Sequence, residues 1–143
     1  MKKLIFIVVT VFLLSGCSKV GQLPTKQVIL NGYGLTAEVA QTPVERQQGL
    51  SGRKSLCATC GMLFLFETTA QYTFWMKYMN FPLDLVWLKD GVIEEITYNL
   101  PQPLAGQDPM RVIPQEPING VLEINAGQAT AWGLEIGQKI EGI

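Results

Sequence analysis

The chain has 143 residues, with 11 Lys and Arg against 12 Asp and Glu, three cysteines and no histidine. That length suits one domain around one core. The missing imidazole excludes Ser-His and Cys-His nucleophilic pairs, His-ligated zinc and imidazole acid/base steps. No run of Lys or Arg offers clustered cations to a phosphate backbone, so no nucleic-acid partner is expected.

Lys2 and Lys3 precede an apolar run from Leu4 to Leu14, broken only by Thr10, and then Ser15-Gly16-Cys17. This is the form of a secretory signal cut before a lipidated cysteine. The run is roughly half of the ~20 apolar residues a membrane span needs. Residues 1–16 are thus expected to be removed and the thiol of Cys17 to carry a diacylglyceryl group. Two or more acyl chains on one residue anchor stably. The expected location is extracytoplasmic, on the cell membrane or outer membrane, with the lipid on Cys17 as the membrane contact. Two of the eleven basic residues leave with the signal, so nine face twelve acidic ones, a net charge near −3. No polybasic patch assists the lipid.

Residues 17–26 are polar after the cysteine, include Pro24 and lack periodicity, which reads as a tether. A single folded domain is expected over 27–143. It opens with Gln27 to Leu30, a turn at Asn31-Gly32-Tyr33-Gly34, and Leu35 to Val39, a hairpin pattern. Thr42-Pro43-Val44-Glu45 carries an N-cap, a proline at the first helical position and the acid of a capping box, and Gly49 is placed to stop a helix over Pro43 to Gln48. Gly61 to Phe66 is apolar on both alternating faces and suits an interior strand. Gln71 to Lys77 reads as a further strand with Tyr72, Phe74, Met76 and Tyr78 on one face and Thr73, Trp75 and Lys77 on the other. Leu83 to Leu88 and Val92 to Tyr98 flank Lys89-Asp90-Gly91 as a second hairpin.

Five prolines between Asn99 and Ile118 exclude a central strand or helix interior there. Gly120 to Ile124 reads as a strand, Ala126 to Trp132 as a short turn or helix ending at Gly133, and Gln138 to Ile140 as a last strand. Many short strands with one or two short helices predict a mostly β fold, a small sandwich or barrel-like domain.

With Cys17 committed to lipid, Cys57-Ala58-Thr59-Cys60 is left outside the cytoplasm, where thiols oxidise. A local Cys57–Cys60 disulfide is the leading reading. A redox site would need a strand-to-helix setting in a βαβ unit, and a metal site would need two further soft ligands. Neither requirement is met by the surrounding sequence, and no metal or cofactor is expected.

Trp75 alternates with Thr73 and Lys77 on the more polar strand face, an unusual place for a core tryptophan. A lid formed by the proline-rich segment or a bulge would cover it; an uncovered Trp75 beside Lys77 would instead form a stacking surface with a donor. Arg53, Lys77, Asp84 and Glu123 are charges within apolar segments. They read either as structural ion pairs, such as Arg53 with Glu123 and Lys77 with Asp84, or as groups converging on a pocket. Met62, Met76, Met79 and Met110 read as core filling, with Met76 and Met79 on opposite faces of a continuing strand.

Glu45-Arg46-Gln47-Gln48-Gly49-Leu50, Arg53, Gly61-Met62-Leu63-Phe64-Leu65-Phe66, Phe74-Trp75-Met76-Lys77, Pro82-Leu83-Asp84, Leu122-Glu123 and Ala126-Gly127 occur in this order. From about Leu35 to Gly137 the chain resembles the bacterial and archaeal family known as domain of unknown function 192. The resemblance implies a small secreted or lipid-anchored β-sandwich and brings no settled activity. Cys57 to Cys60 and Tyr78-Met79-Asn80 depart from that family's pattern.

The leading functional expectation is a non-enzymatic, lipid-anchored binding module for a small molecule or carbohydrate, with Arg53, Trp75, Lys77, Asp84 and Glu123 as candidate ligand-binding residues. The alternative is an extracytoplasmic redox protein using Cys57 and Cys60, or a carboxylate-based enzyme using Asp84 and Glu123. Oligomeric state is not legible in the sequence.

Overall fold

A computed structural model describes residues 22–143. The segment 1–16 expected to be a signal, the cysteine expected to carry lipid, Cys17, and the part of the expected tether up to residue 21 lie outside the described residues. β1 (Thr25–Leu30) and β2 (Tyr33–Ala40) form the first hairpin, with β1 opening two residues before the expected domain start. Asn31 and Gly32 take φ of 49° and 85°, the left-handed pair that lets a two-residue turn follow strand twist. α1 (Pro43–Gln48) begins at Thr42 with the complete capping box. The Thr42 Oγ1 accepts from the Glu45 N–H, and the Glu45 carboxylate accepts from the N–H groups of Thr42 and Gln41.

β3 (Cys60–Ala70) is longer than the apolar run that signalled it. After β4 (Phe74–Trp75) come β5 (Leu83–Lys89), β6 (Val92–Leu100), β7 (Arg111–Val112), β8 (Ile118–Asn125) and α2 (Gln128–Ala131). The large sheet has the order β1-β2-β3-β8-β5-β6, parallel only between β2 and β3, and β4 and β7 form a separate two-stranded ribbon. The protein is mostly β with two short helices. Its large sheet does not close into a barrel, because the edge strands β1 and β6 do not pair with each other. The C-terminal segment bridges them instead, Lys139 to Val92 and Glu141 to Ile29.

Side-chain alternation sorts the core into two clusters. One contains Val28, Leu35, Leu63, Val86, Leu122 and Ile124, and is capped by Ala129, Leu134 and Ile140 from the chain's last quarter. The other contains Met62, Phe64, Leu85, Trp87 and Val121, and is covered by Leu50, Met76 and Met79. Gly61 permits close packing on the side of the first cluster, since a Cβ there would lie 2.8 Å from Leu35 Cδ2 and 2.9 Å from the Glu123 carbonyl oxygen.

Two expectations need correction. The strand read over Gln71 to Lys77 pairs only at Phe74 and Trp75. Its partner Arg111–Val112 lies between Pro109 and Pro114, and proline has no N–H to extend a ladder. The alternation then ends at Tyr78, whose φ of 59° turns the chain. Tyr78 is therefore exposed rather than grouped with Phe74, and Met76 and Met79 enter the same cluster rather than opposite faces.

Candidate functional site

α1 carries no buried residue. A helix this short gains little from its own hydrogen bonds, so it is held by its cap and by Arg46. The Arg46 Nη1 donates to the carbonyls of Leu65, at 3.0 Å, and of Gln41, and its guanidinium lies 4.9 Å from the Phe66 ring centroid. Between α1, β3 and the segment through β4 lies a cavity of about 640 Å³, within the size range of small-molecule sites. Its apolar walls are Phe64, Phe66, Tyr72, Phe74 and Trp75. Phe66 and Tyr72 stack at 3.7 Å with their planes 13° apart, and Phe74 stands edge-on to Phe64, Phe66 and Trp87. Gln41, Arg46, Gln47 and Gln48 supply donors and acceptors from the helix side.

Glu123 also lines this cavity. Only 7% of its surface is exposed, it forms no salt bridge among the described residues, and burial raises its carboxyl pKa to about 8 despite the opposing pull of Arg53. The cause is desolvation of the charged form, so Glu123 is chiefly a neutral acid at pH 7. Perturbed acids in clefts mark functional sites more often than chance.

Trp75 is 40% exposed despite the proline-rich segment running beside it. That segment supplies Arg111, the ladder partner of Trp75, as a flank rather than a lid. The Arg111 guanidinium carbon is 5.6 Å and the Lys77 Nζ 4.9 Å from the Trp75 ring centroid, and the same Nζ is 5.0 Å from the Tyr78 ring. Lys77 and Trp75 also line a second cavity of about 370 Å³ with Gln47, Gln48, Ser51 and Tyr78. Trp75 is thus a wall common to both spaces.

The remaining predicted residues are placed differently. Arg53 does not pair with Glu123. Its guanidinium makes a bidentate ion pair with Glu38, at 2.5 and 2.7 Å, which holds the Glu38 carboxyl below its ordinary range through those hydrogen bonds. Glu38 and Glu123 each stand opposite Met62 across neighbouring strands, so Arg53 serves one acid directly and the other only through its field. Lys77 likewise pairs with aromatic rings and not with Asp84. Asp84 is fully buried, its two oxygens accepting from the N–H groups of Asn99, at 2.8 Å, and Ala129, at 2.9 Å. This carboxylate ties β5 to the end of β6 and to α2.

Register separates the two buried acids. Asp84 opposes Ile124 and Glu123 opposes Leu85, so they project to opposite faces of the sheet. They do not form an acid/base pair. Cys57 and Cys60 form a disulfide at the start of β3. Their turn is tied down by Asn125, which donates to the carbonyls of Leu56 and Cys57, and by Gln128, which donates to that of Ala58. Neither cysteine lines the two cavities described above.

Sequence reading did not place Gln41, Arg46, Gln47, Phe66 or Tyr72 at a site. One signal for them existed: a well-capped helix with no apolar stripe must border something other than core.

No curated protein matches the chain at a significant level. Two crystal structures resemble it. One, from Sinorhizobium meliloti 1021, is provisionally described as a transcription regulator; it is 33% identical, with a TM-score of 0.78 over 87% of this chain and 98% of that one. The other, a protein of unknown function from Novosphingobium aromaticivorans DSM 12444, is 31% identical, with a TM-score of 0.73 over 85% of this chain and 88% of that one. The model of domain of unknown function 192, described as "Uncharacterized ACR, COG1430", matches residues 26–142. The chain belongs to this family of uncharacterised proteins.

Proposed function

We propose that this protein is a lipid-anchored module of the cell envelope that binds a small saccharide-like ligand without turning it over. The observation that carries the reading is the cavity between α1 and β3. It combines stacked aromatic walls, amide and guanidinium donors, and a buried neutral acid able to donate a hydrogen bond. Cyclic polyols are recognised by that mixture: an apolar ring face meets an aromatic surface while hydroxyls meet side-chain amides. Binding is favoured over catalysis because Asp84, the other buried acid, faces away from Glu123 and is saturated by backbone N–H groups. Anchoring is supported by the sequence around Cys17.

The purified full-length protein in detergent tests this reading against a panel of neutral and acidic glycans, followed by tryptophan fluorescence and thermal unfolding. A ligand at a hundred times its dissociation constant adds about 2.7 kcal/mol of stability. Trp75→Ala should remove that gain while the unliganded melting temperature stays close to wild type, because Trp75 is only partly buried. An unfolded Trp75→Ala variant would show that Trp75 is structural and that the site is wrongly assigned. Mass spectrometry of the N-terminal peptide tests the anchor: an unmodified Cys17, or a chain still carrying residues 1–16, overturns it.

A further inference from the structure

Resting on that reading, we infer that the ligand is an anionic saccharide, whose acidic substituent is met by Lys77 and Arg111 beside Trp75. The Trp75 ring is not a free stacking face. Lys77 Nζ at 4.9 Å and the Arg111 guanidinium at 5.6 Å are both within cation–π range of it. A neutral sugar that stacked there would have to push a cation off the ring and give it nothing in return. A sugar bearing a carboxylate or phosphate draws the cation to itself and uncovers the ring in the same step.

Charge distribution supports this direction. The sole ion pair among the described residues is Arg53 with Glu38, so neither Lys77 nor Arg111 has a carboxylate partner there. The cavity that holds Lys77 has no acidic side chain in its lining, whereas the larger cavity contains Glu67 and Glu123. The two spaces share Trp75, Gln47, Gln48 and Ser51. A ligand crossing Trp75 would therefore set its neutral ring in the larger cavity and its acidic group on the Lys77 side, away from both glutamates.

The test uses three polymers, polygalacturonate, alginate and hyaluronate, each beside its methyl ester, which removes the charge and keeps the ring. Binding to the full-length protein in detergent is measured by calorimetry. The acid form of at least one polymer is expected to bind at least tenfold tighter than its ester, with a preference that shrinks as salt is added. In Lys77→Gln and Arg111→Gln variants whose melting curves match wild type, that ratio should fall below about threefold, the acid weakening while the ester strengthens because the ring is uncapped. Equal binding of acid and ester to wild type overturns the inference and leaves the saccharide reading standing. A ratio that persists in both variants, or a variant that loses acid and ester alike, also overturns it. Failure of every acid and every ester to bind overturns this inference together with the saccharide reading.

Discussion

Replacing Glu123 by glutamine should stabilise the protein near neutral pH, and the size of the effect follows from the site. An ordinary glutamate titrates near 4.5, whereas burial raises the Glu123 carboxyl to about 8 in the folded chain. The sign is opposite to that of an ion-paired acid. Below pH 4.5 both folded and unfolded chains hold the proton and the residue is neutral to stability. Between 4.5 and 8 the unfolded chain releases its proton while the folded chain keeps it, so stability falls as pH rises. Above 8 both are ionised and the loss is complete. At about 1.4 kcal/mol for each tenfold step in proton activity, the loss is roughly 3 kcal/mol by pH 7 and approaches roughly 5 kcal/mol above pH 8.

No histidine titrates in this interval, which leaves pH 5.5 to 8 clear for the measurement. Urea unfolding followed by tryptophan fluorescence should show wild-type stability declining by about 3 kcal/mol across it. At slopes of about 1–3 kcal/mol per molar urea, the midpoint moves by roughly 1–3 M. Glu123→Gln keeps the shape of the side chain and cannot ionise, so its midpoint should be nearly flat and higher than wild type at pH 7. Parallel pH profiles for the two proteins, or a Gln variant less stable at pH 7, would refute the account of Glu123 as an unpaired buried acid.

Asp84→Ala, by contrast, leaves the Asn99 and Ala129 N–H groups without acceptors, and at ~1–3 kcal/mol for each buried orphan should cost roughly 2–5 kcal/mol in urea titration. Arg53→Gln removes the positive charge that pulls the Glu123 carboxyl down, so carboxyl NMR should find Glu123 titrating at higher pH than in wild type. Gly61→Ala forces a Cβ against Leu35 and the Glu123 carbonyl, with an expected loss of about 1–3 kcal/mol from overpacking. Reducing the Cys57–Cys60 disulfide opens so short a loop that the chain-entropy model gives a loss of only about 2 kcal/mol, read from the melting temperature with and without reductant.

Features set by local chemistry were legible in the sequence. Thr42, Pro43, Glu45 and Gly49 specify α1 to the residue, and Asn31-Gly32 and Asp90-Gly91 specify the two hairpins, because caps and left-handed turns depend on residues within a few positions of one another. Alternation set Trp75 on the polar side of its segment but left open whether the proline-rich segment would cover it; the structure leaves it 40% exposed. Pairings across the sheet were not legible. Arg53 chose Glu38 over Glu123 because β2 lies beside β3 in parallel, an arrangement that hairpin patterns do not announce. Gln71 to Lys77 had the pattern of a strand, but its extent was decided by the prolines of a distant segment.

Glu123 and Asp84 show why burial alone does not assign a role. Both are carboxyls on adjacent central strands, and both are almost wholly removed from solvent. Asp84 is satisfied by two N–H groups that belong to the fold, so its oxygens have partners whether or not a ligand is present. Glu123 has only the field of Arg53, whose own partner is Glu38, and it lines a cavity. Replacing it with a neutral side chain would improve stability without changing the fold, and a residue that lowers stability persists most readily where function requires it. The need fits a ligand rather than the core, because Glu123 lines the cavity whose walls include Phe66, Tyr72 and Trp75.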